Sequence, residues 1–255
     1  MTSPLRSPFA VLALSFLMMW LSVWLGVLLR KRHQALAKDV CQDLELIVGS
    51  TLTLLGLIIG FSFSMAINRY DQRKNYEEAE ANAIGTEYVR ADLLSATDAA
   101  RIRTLMRDYL DQRILFYQTR DEHDLQQVNA RTAQLQTELW SAVRVPGAAQ
   151  PNPVLGLVLS GMNDVLNSQG YTQAAWWNRI PIGAWGLMAV VAICSNLLVG
   201  YIMHRAGEGF VRLLILPLVL SIAFFLIADI DTPRHGVIRV LPQNLISLAQ
   251  SLHGS

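Results

Sequence analysis

The chain has 255 residues, of which 52% are hydrophobic and 16% are charged, and its formal net charge is +1. Soluble domains carry about 25% charged residues, so this composition favours a membrane protein over a soluble domain. A nearly neutral chain also lacks the basic surface that nucleic acid requires, so no nucleic-acid partner is expected.

Four apolar stretches predict membrane spans, because each has about the 20 residues that cross a bilayer. The first, Phe9–Leu29, ends in a basic cluster without a small-residue cleavage site, which distinguishes a retained span from a signal peptide. The others are predicted at Leu44–Ile67, Ile182–Met203 and Phe210–Ala228. Pro217 lies inside the last span and predicts a kink there.

Residues 68–179, between the second and third spans, predict a helical extramembrane block. Amphipathic spacing and turn residues divide it into helices and breaks. The predicted helices are Asp98–Tyr117, Asp124–Val145 and Val154–Asn167, and the predicted breaks are Pro146–Pro153 and Ser168–Gly170. Thr97 is the predicted N-cap of the first helix. Because no strand alternation occurs, the predicted fold class is an all-α membrane protein forming one domain over residues 1–255.

The second span continues without a proline or a turn cluster into a charged segment rich in Ala and Glu, which ends near Arg90. One helix is therefore predicted to join the membrane part to the block. Its carboxylates are interpreted as a solvated or salt-bridged face. They are Glu77, Glu78, Glu80 and Glu87. Gly85 is interpreted as a position of close packing against another helix.

Small residues recur along the second span at spacings that place them on one face of a helix. They are Gly49, Thr53, Gly56, Gly60 and Ser64, and we call them the stripe. One interpretation is close helix–helix packing, which small residues permit in lipid. The other is that this helix lines a pore, with Leu57 and Phe61 beside the stripe forming an apolar ring that gates by dewetting. The spacing alone leaves both open.

Charged residues lie near the ends of two spans. Arg69, Arg73 and Lys74 follow the second span. They either anchor the helix at the headgroups and pair with acids four residues on, or form a positive ring that attracts anions to a vestibule. Asp229 and Asp231 end the fourth span. Acids at membrane depth are functional candidates, and both a structural clamp and a proton or cation site are open.

The sequence carries no catalytic, phosphate-loop or metal-ligand motif, so no enzyme activity, metal or cofactor is expected. Cys41 and Cys194 lie far apart and lack metal-ligand spacing, and a disulfide between them is not expected. Basic residues nearly balance on the two sides of the spans. The positive-inside rule therefore does not decide which side the block faces.

Three stretches resemble the bacterial bestrophin-like domain family. They are GFSFSMAINRYDQRKNYEEAEANAIGTEYVRADLL (Gly60–Leu94), RIRTLMRDYLDQR (Arg101–Arg113) and the closing LIADIDTPRHGVIRV (Leu226–Val240). The chain has Pro233 and Arg234 where common family versions carry Pro-Phe. The resemblance covers nearly the whole chain.

The resemblance implies the plan of bestrophins, which are pentameric anion channels with four spans per subunit and a helical part between the second and third. It implies a homo-oligomeric channel in the bacterial inner membrane, with its pore lined by the second span. Its partners would be lipid, other copies of the chain and small anions. The alternative is a membrane-anchored sensor or scaffold whose helical block binds a protein partner, which the helix leaving the membrane suits equally well.

Overall fold

The computed structural model describes residues 7–32, 38–149, 153–202 and 210–253. Within these ranges the chain is helical and contains no strand, as the all-α prediction requires. The α-helices are α1 (Pro8–Arg32), α2 (Lys38–Arg90), α3 (Ala96–Gln118), α4 (Glu122–Ala149), α5 (Pro153–Trp177), α6 (Ile182–Ile202), α7 (Phe210–Asp231) and α8 (Gln243–His253). Four helical stretches are long and apolar enough to cross a membrane, and they correspond to the four predicted spans. Met203, the predicted end of the third span, lies outside the described residues.

The chain divides into two compact units. Residues 1–69 and 179–238 form the first, which we call the membrane unit, and residues 70–178 and 239–255 form the second, the block unit. α2 belongs to both, as one unbroken helix of 53 residues. The division lies close to residue 68, where the block was predicted to begin. The interpretation of residues 1–255 as a single domain stays a prediction.

In the membrane unit, α1 packs against α6 and α7. Two glycines permit the approach of α1 and α6. A Cβ built on Gly26 would lie 2.8 Å from the backbone nitrogen of Tyr201, and one on Gly200 would lie 2.9 Å from the carbonyl carbon of Val23. Real Cβ atoms do not come that close to backbone, so only glycine fits either position. Close small-residue packing thus occurs in this unit on α1 and α6.

Pro217 and Cys194 of the membrane unit bear on the sequence predictions. Pro217 lies inside α7, and the hydroxyl of Ser221 donates to its carbonyl oxygen at 2.6 Å. A kink at Pro217 stays a prediction. Cys194 on α6 is an exposed free thiol, and the side chain of Cys41 lies outside the described part of the chain.

The block unit has one apolar core, to which α2, α3, α4, α5 and α8 contribute. At its centre Phe116, Tyr117 and Trp176 stack edge to face, with ring centroids 5.0 to 5.5 Å apart. Gly85 of α2 faces α8, where a Cβ would lie 3.1 Å from Cδ1 of Leu248. This is the close packing that the sequence predicted for Gly85.

α3 begins earlier than predicted, and Ser95 rather than Thr97 is its N-cap. The Ser95 hydroxyl oxygen accepts the N–H of Asp98 at 3.2 Å, and the hydroxyl donates to Oδ2 of Asp98 at 2.6 Å. Both candidate residues have side chains suited to a cap. Ser95 rather than Thr97 is the cap because the backbone leaves the helical conformation directly after a short 3₁₀ helix, Ala91–Leu93, and becomes helical again at Ala96.

The loop predicted at Pro146–Pro153 is wrong at its start, because α4 continues to Ala149. Pro146 cannot donate its backbone nitrogen, but in the last turn this removes one helical hydrogen bond without ending the helix. Pro153 is the first residue of α5, a position where the missing N–H has no helical partner in any case. Residues 150–152 of the predicted loop lie outside the described ranges.

The break predicted at Ser168–Gly170 is also wrong, since α5 runs through it to Trp177. The Ser168 hydroxyl donates to the carbonyl oxygen of Val165 at 2.7 Å, which satisfies it inside the helix. The following turns bury Thr172 and Trp176 in the core. Burial of these turns outweighs the weak local helix propensity of Ser-Gln-Gly.

Candidate functional site

The apolar part of α2 has one side that is buried within the chain and one that is exposed. Leu55, Ser62 and Ala66 are at most 5% exposed, and their spacings of seven and four residues place them on one side. The stripe lies on another side, and all five of its residues are exposed. Its members are Gly49, Thr53, Gly56, Gly60 and Ser64.

Within the described part of the chain, the stripe glycines pack against nothing. A Cβ built on Gly49, Gly56 or Gly60 would meet no atom of the described residues within 4 Å. The Thr53 hydroxyl is satisfied on its own helix, where it donates to the carbonyl oxygen of Gly49 at 2.9 Å. Packing between helices of one described chain therefore does not account for the stripe.

Leu57 and Phe61 stand one helical turn apart beside the stripe. Their exposed fractions are 56% and 67%, which makes them large apolar side chains without cover from the described residues. On a membrane helix such side chains face lipid, another copy of the chain or a pore. The exposed side of α2 that carries the stripe, Leu57 and Phe61 is the candidate site.

Arg73 is buried within the block unit and does not present its charge to solvent. Its side chain is 1% exposed. Its Nε donates to the carbonyl oxygen of Ala175 at 3.3 Å, and its Nη2 donates to that of Asn178 at 3.4 Å. These carbonyls lie at the C-terminal end of α5, where a helix leaves carbonyl groups unpaired and favours a cation. Arg73 therefore caps α5.

Arg69 and Lys74 differ from Arg73 in exposure. Arg69 is half-buried, and its Nη2 lies 3.7 Å from Sδ of Met65, one turn earlier on α2. Lys74 is exposed. Of the three cations after the second span, these two can present charge to solvent.

Glu77 caps the start of α8. Its Oε1 accepts the backbone N–H of Leu245 at 3.0 Å, and its Oε2 accepts from Nδ2 of Asn244 at 2.6 Å. The first N–H groups of a helix have no partner within it, and a carboxylate also suits the positive end of the helix dipole. One turn of α2 thus carries a cap for α5 and a cap for α8.

Glu80 lies at the centre of a buried polar network. Its carboxylate pairs with Nε of Arg113, accepts from Nη2 of the same side chain at 3.4 Å, and accepts from the hydroxyls of Tyr117 at 3.3 Å and Thr172 at 3.1 Å. Glu80 and Arg113 are both 0% exposed. Burial, together with the Glu80 charge, raises the pKa of Tyr117 above its ordinary value. The network joins α2, α3 and α5.

Four glutamates of α2 were interpreted as a solvated or salt-bridged face, and Glu80 does form a salt bridge, with Arg113. Glu77, Glu80 and Glu87 are at most 1% exposed, whereas Glu78 is exposed as expected. Their spacings of three and seven residues put them on the side of α2 that also buries Ile84. The helical period of the apolar residues continues through the charged segment, and this signal identifies the inward acids.

Glu87 differs from the other two because it lacks hydrogen-bond partners. Neither of its carboxylate oxygens has one among the described residues. Nη1 of Arg90 lies 3.9 Å from Oε2, and Gly161 of α5 packs so closely that a Cβ there would collide with this oxygen. Burial raises the pKa of Glu87 to about 8; Arg90 opposes this rise and Asp164 adds to it. The folded chain therefore holds a proton on Glu87 at neutral pH.

Asp229 and Asp231 both bind backbone amides. Oδ1 of Asp229 accepts from the nitrogen of Val237 at 2.7 Å, and Oδ2 accepts from that of Ile238 at 2.8 Å. Both oxygens of Asp231 accept from the nitrogen of Ile180, at 3.1 and 3.2 Å. Of the two interpretations left open by the sequence, this is the geometry of a structural clamp.

Asp121, His123 and Asp124 form an exposed group at the start of α4, which no sequence motif indicated. Their ligand atoms lie within 4.8 Å of one another. Oδ1 of Asp121, however, already accepts the backbone N–H groups of His123 at 2.8 Å and Asp124 at 3.1 Å. It acts as an N-terminal cap of α4, and we assign the group no metal.

Comparisons with known proteins extend this picture. A family model described as the bestrophin-like domain matches residues 9–245. Two structures of variants of a bacterial bestrophin homologue from Klebsiella pneumoniae match with TM-scores of 0.63 and 0.65, both at 13% identity; they cover 97% of this chain and 98% and 96% of their own. A structure of that homologue phased on zinc matches with a TM-score of 0.61 at 14% identity, covering 95% of this chain and 94% of its own. No curated protein matches. At 13% and 14% identity, the structural likeness establishes the fold alone.

Proposed function

The chain belongs to the bestrophin-like family, and on that premise we propose that it forms a homo-oligomeric channel for small anions in the bacterial inner membrane. α2 of each copy would line the pore. The observation that carries the proposal is the exposed side of α2, where the stripe meets no described atom of its own chain. A multi-pass location in a membrane agrees with the four apolar helical stretches.

A closed ring of copies gives this exposed side a partner. In a cyclic oligomer every copy presents the same surface to the axis. The stripe would then let neighbouring helices approach closely or leave space for ions. One Leu57 and one Phe61 per copy would form two apolar rings, one helical turn apart, and such rings gate ions by dewetting. A ring of copies would therefore account for both exposed features of α2, the stripe and the pair Leu57 and Phe61.

We assign the positive charge at the entrance of this pore to Arg69 and Lys74. They follow the span on the same helix, and Lys74 is exposed. A ring of cations raises the local concentration of anions and disfavours cations. Arg73 is left out of the assignment because it caps α5.

A membrane-anchored sensor or scaffold is the alternative function. It requires the stripe only for packing within the chain. The stripe glycines have no such neighbour among the described residues, which weighs against this function.

The first test is the number of copies in the purified protein, measured by native mass spectrometry in several mild detergents. We expect a closed ring, with five copies as the family plan implies. A monomer or dimer in every detergent would leave no axis for α2 to surround and would contradict the proposal.

The second test is chloride flux into liposomes that contain the purified protein. We expect Phe61→Ala and Leu57→Ala to raise the flux, because removing a ring of large apolar side chains widens the dewetted segment. Leu21→Ala is the matched control, since Leu21 is 48% exposed on α1 and lies outside the proposed pore. Flux equal to wild type in both α2 variants, with wild-type flux established, would refute the constriction.

A further inference from the structure

A small cavity in the block unit has two cationic side chains in its wall. Lys74 comes from α2, and Arg239 comes from the segment between α7 and α8. The cavity has a volume of about 130 Å³, and its other lining residues are Tyr70, Val240, Leu241 and Gln243. Two like charges that line one cavity repel each other unless an anion lies between them.

Neither cation has a partner within the described ranges of the chain. Lys74 and Arg239 form no ion pair or hydrogen bond with the described residues. The Nε of Arg239 is buried there without an acceptor. Burying a donor without an acceptor costs free energy, and a charged donor costs more than a neutral one. Both groups are therefore suited to an acceptor from outside the chain.

The neighbouring acids do not fill this role. Glu77, one turn after Lys74 on α2, uses both carboxylate oxygens on the first turn of α8. Asp71 and Glu78 are exposed, and water and salt screen their charge. The cavity wall thus keeps a net positive character.

The size and the donors of the cavity define the ligand class. Pockets for drug-sized ligands have volumes of about 300–1,000 Å³, so this cavity admits only a small group. The planar guanidinium matches two oxygens of a phosphate, and the ammonium adds a compact charge for a third. Tyr70 and Gln243, whose side chains carry neutral hydrogen-bonding groups, also line the cavity. We propose that Lys74 and Arg239 bind one phosphate group per chain.

Two sources can supply this group. One is free inorganic phosphate. The other is the headgroup of an anionic phospholipid, because Lys74 lies seven residues after Ile67, or about 10 Å along α2 beyond the apolar segment. Headgroups occupy the layer next to the hydrocarbon core. The proposal concerns binding and does not depend on ion flux, so it stands or falls separately from the channel.

The experiment uses the full-length protein in a mild non-ionic detergent, titrated with sodium phosphate at constant ionic strength in a calorimeter. A parallel native mass spectrum is recorded with phosphatidylglycerol and with diacylglycerol, which lacks the phosphate. The variants are Lys74→Gln and Arg239→Gln, and Arg101→Gln is the matched control because Arg101 is exposed on α3 away from the cavity. Lys74 is exposed, so its variant is expected to fold as wild type does.

We expect one phosphate site per chain, weakened at least tenfold in each cavity variant and unchanged in Arg101→Gln, because a charge-assisted hydrogen bond is lost. If inorganic phosphate binds in this way, the ligand is a free ion. If only phosphatidylglycerol binds, with the same dependence on the two residues, the ligand is a lipid headgroup. If neither probe binds, or if Lys74→Gln binds both as tightly as wild type, the proposal is overturned.

Discussion

Folding buries the carboxyl group of Glu87 without a hydrogen-bond donor among the described residues. Its pKa rises from 4.5 to about 8 through burial, so the folded chain keeps a proton that the unfolded chain releases between these values. The stability that this proton contributes is present below pH 4.5 and is lost as the pH rises through 8.

We therefore expect the free energy of unfolding of the wild type to fall between pH 4.5 and 8 relative to that of Glu87→Gln, which has no proton to lose. The measurement is thermal unfolding in detergent, followed by circular dichroism across this range. Glu78→Gln, an exposed change on the same helix, should run parallel to wild type. A constant difference between Glu87→Gln and wild type at every pH would disprove this assignment.

Arg113 and Glu80 form a buried pair whose stability depends on both members. Arg113→Met leaves the Glu80 charge in the core with only the hydroxyls of Tyr117 and Thr172 as donors. Removing one partner of a buried pair costs about 3–5 kcal/mol, so we expect a large loss of stability in denaturant unfolding. Arg120→Met, an exposed change beyond the end of α3, should cost at most about 0.5 kcal/mol. Equal stabilities of the two variants would contradict the role given to the pair.

At the level of helices, the crossing of α1 and α6 depends on glycine. Gly26→Ala places a methyl group against backbone atoms of α6, which no rotamer change can relieve. Overpacking of this kind costs about 1–3 kcal/mol, and we expect a lower unfolding temperature in detergent. Gly183→Ala on α6 is the control, because a Cβ there meets no described atom within 4 Å. If the Gly26→Ala protein unfolds at the same temperature as Gly183→Ala, α1 and α6 can move apart without loss of stability, and the prediction is contradicted.

The helices themselves show what a sequence can and cannot predict. The four spans follow from length and composition, which are local properties, and the structure confirms them as apolar helical stretches. The end of α5 was not predictable in this way, since Thr172 and Trp176 hold it by burial against other helices. The spacing of the stripe identified a face of α2. Only the structure shows that this face is unused within the described chain.

The acids of α2 illustrate the same limit at finer detail. Composition favours a solvated face for a Glu-rich helix, and Glu78 follows that rule. Glu77 and Glu80 are instead buried, because Leu245 and Arg113, remote in sequence, supply their donors. The helical period of the apolar residues indicates which acids face inward, but it does not identify the distant residues that supply their donors.

For the whole assembly, the proposed channel predicts a dependence of ion selectivity on Arg69 and Lys74. We expect Arg69→Gln and Lys74→Gln each to lower the anion/cation permeability ratio in phosphate-free solutions, where no bound phosphate neutralises Lys74, because each removes one positive charge per copy from the entrance. The measurement is the reversal potential across a planar bilayer with a salt gradient. Arg101→Gln, an exposed change on α3, is the control. Ratios that do not move would leave these cations as membrane anchors only.

The polar contacts of Arg73, Glu77 and Glu80 fix the rotation of α2 about its own axis within the block unit. They attach α5, α8 and α3 to one side of that helix. A one-residue slip would rotate this side by about 100° and break all three attachments. The register of α2 within the block unit is therefore fixed at three separate positions along that helix.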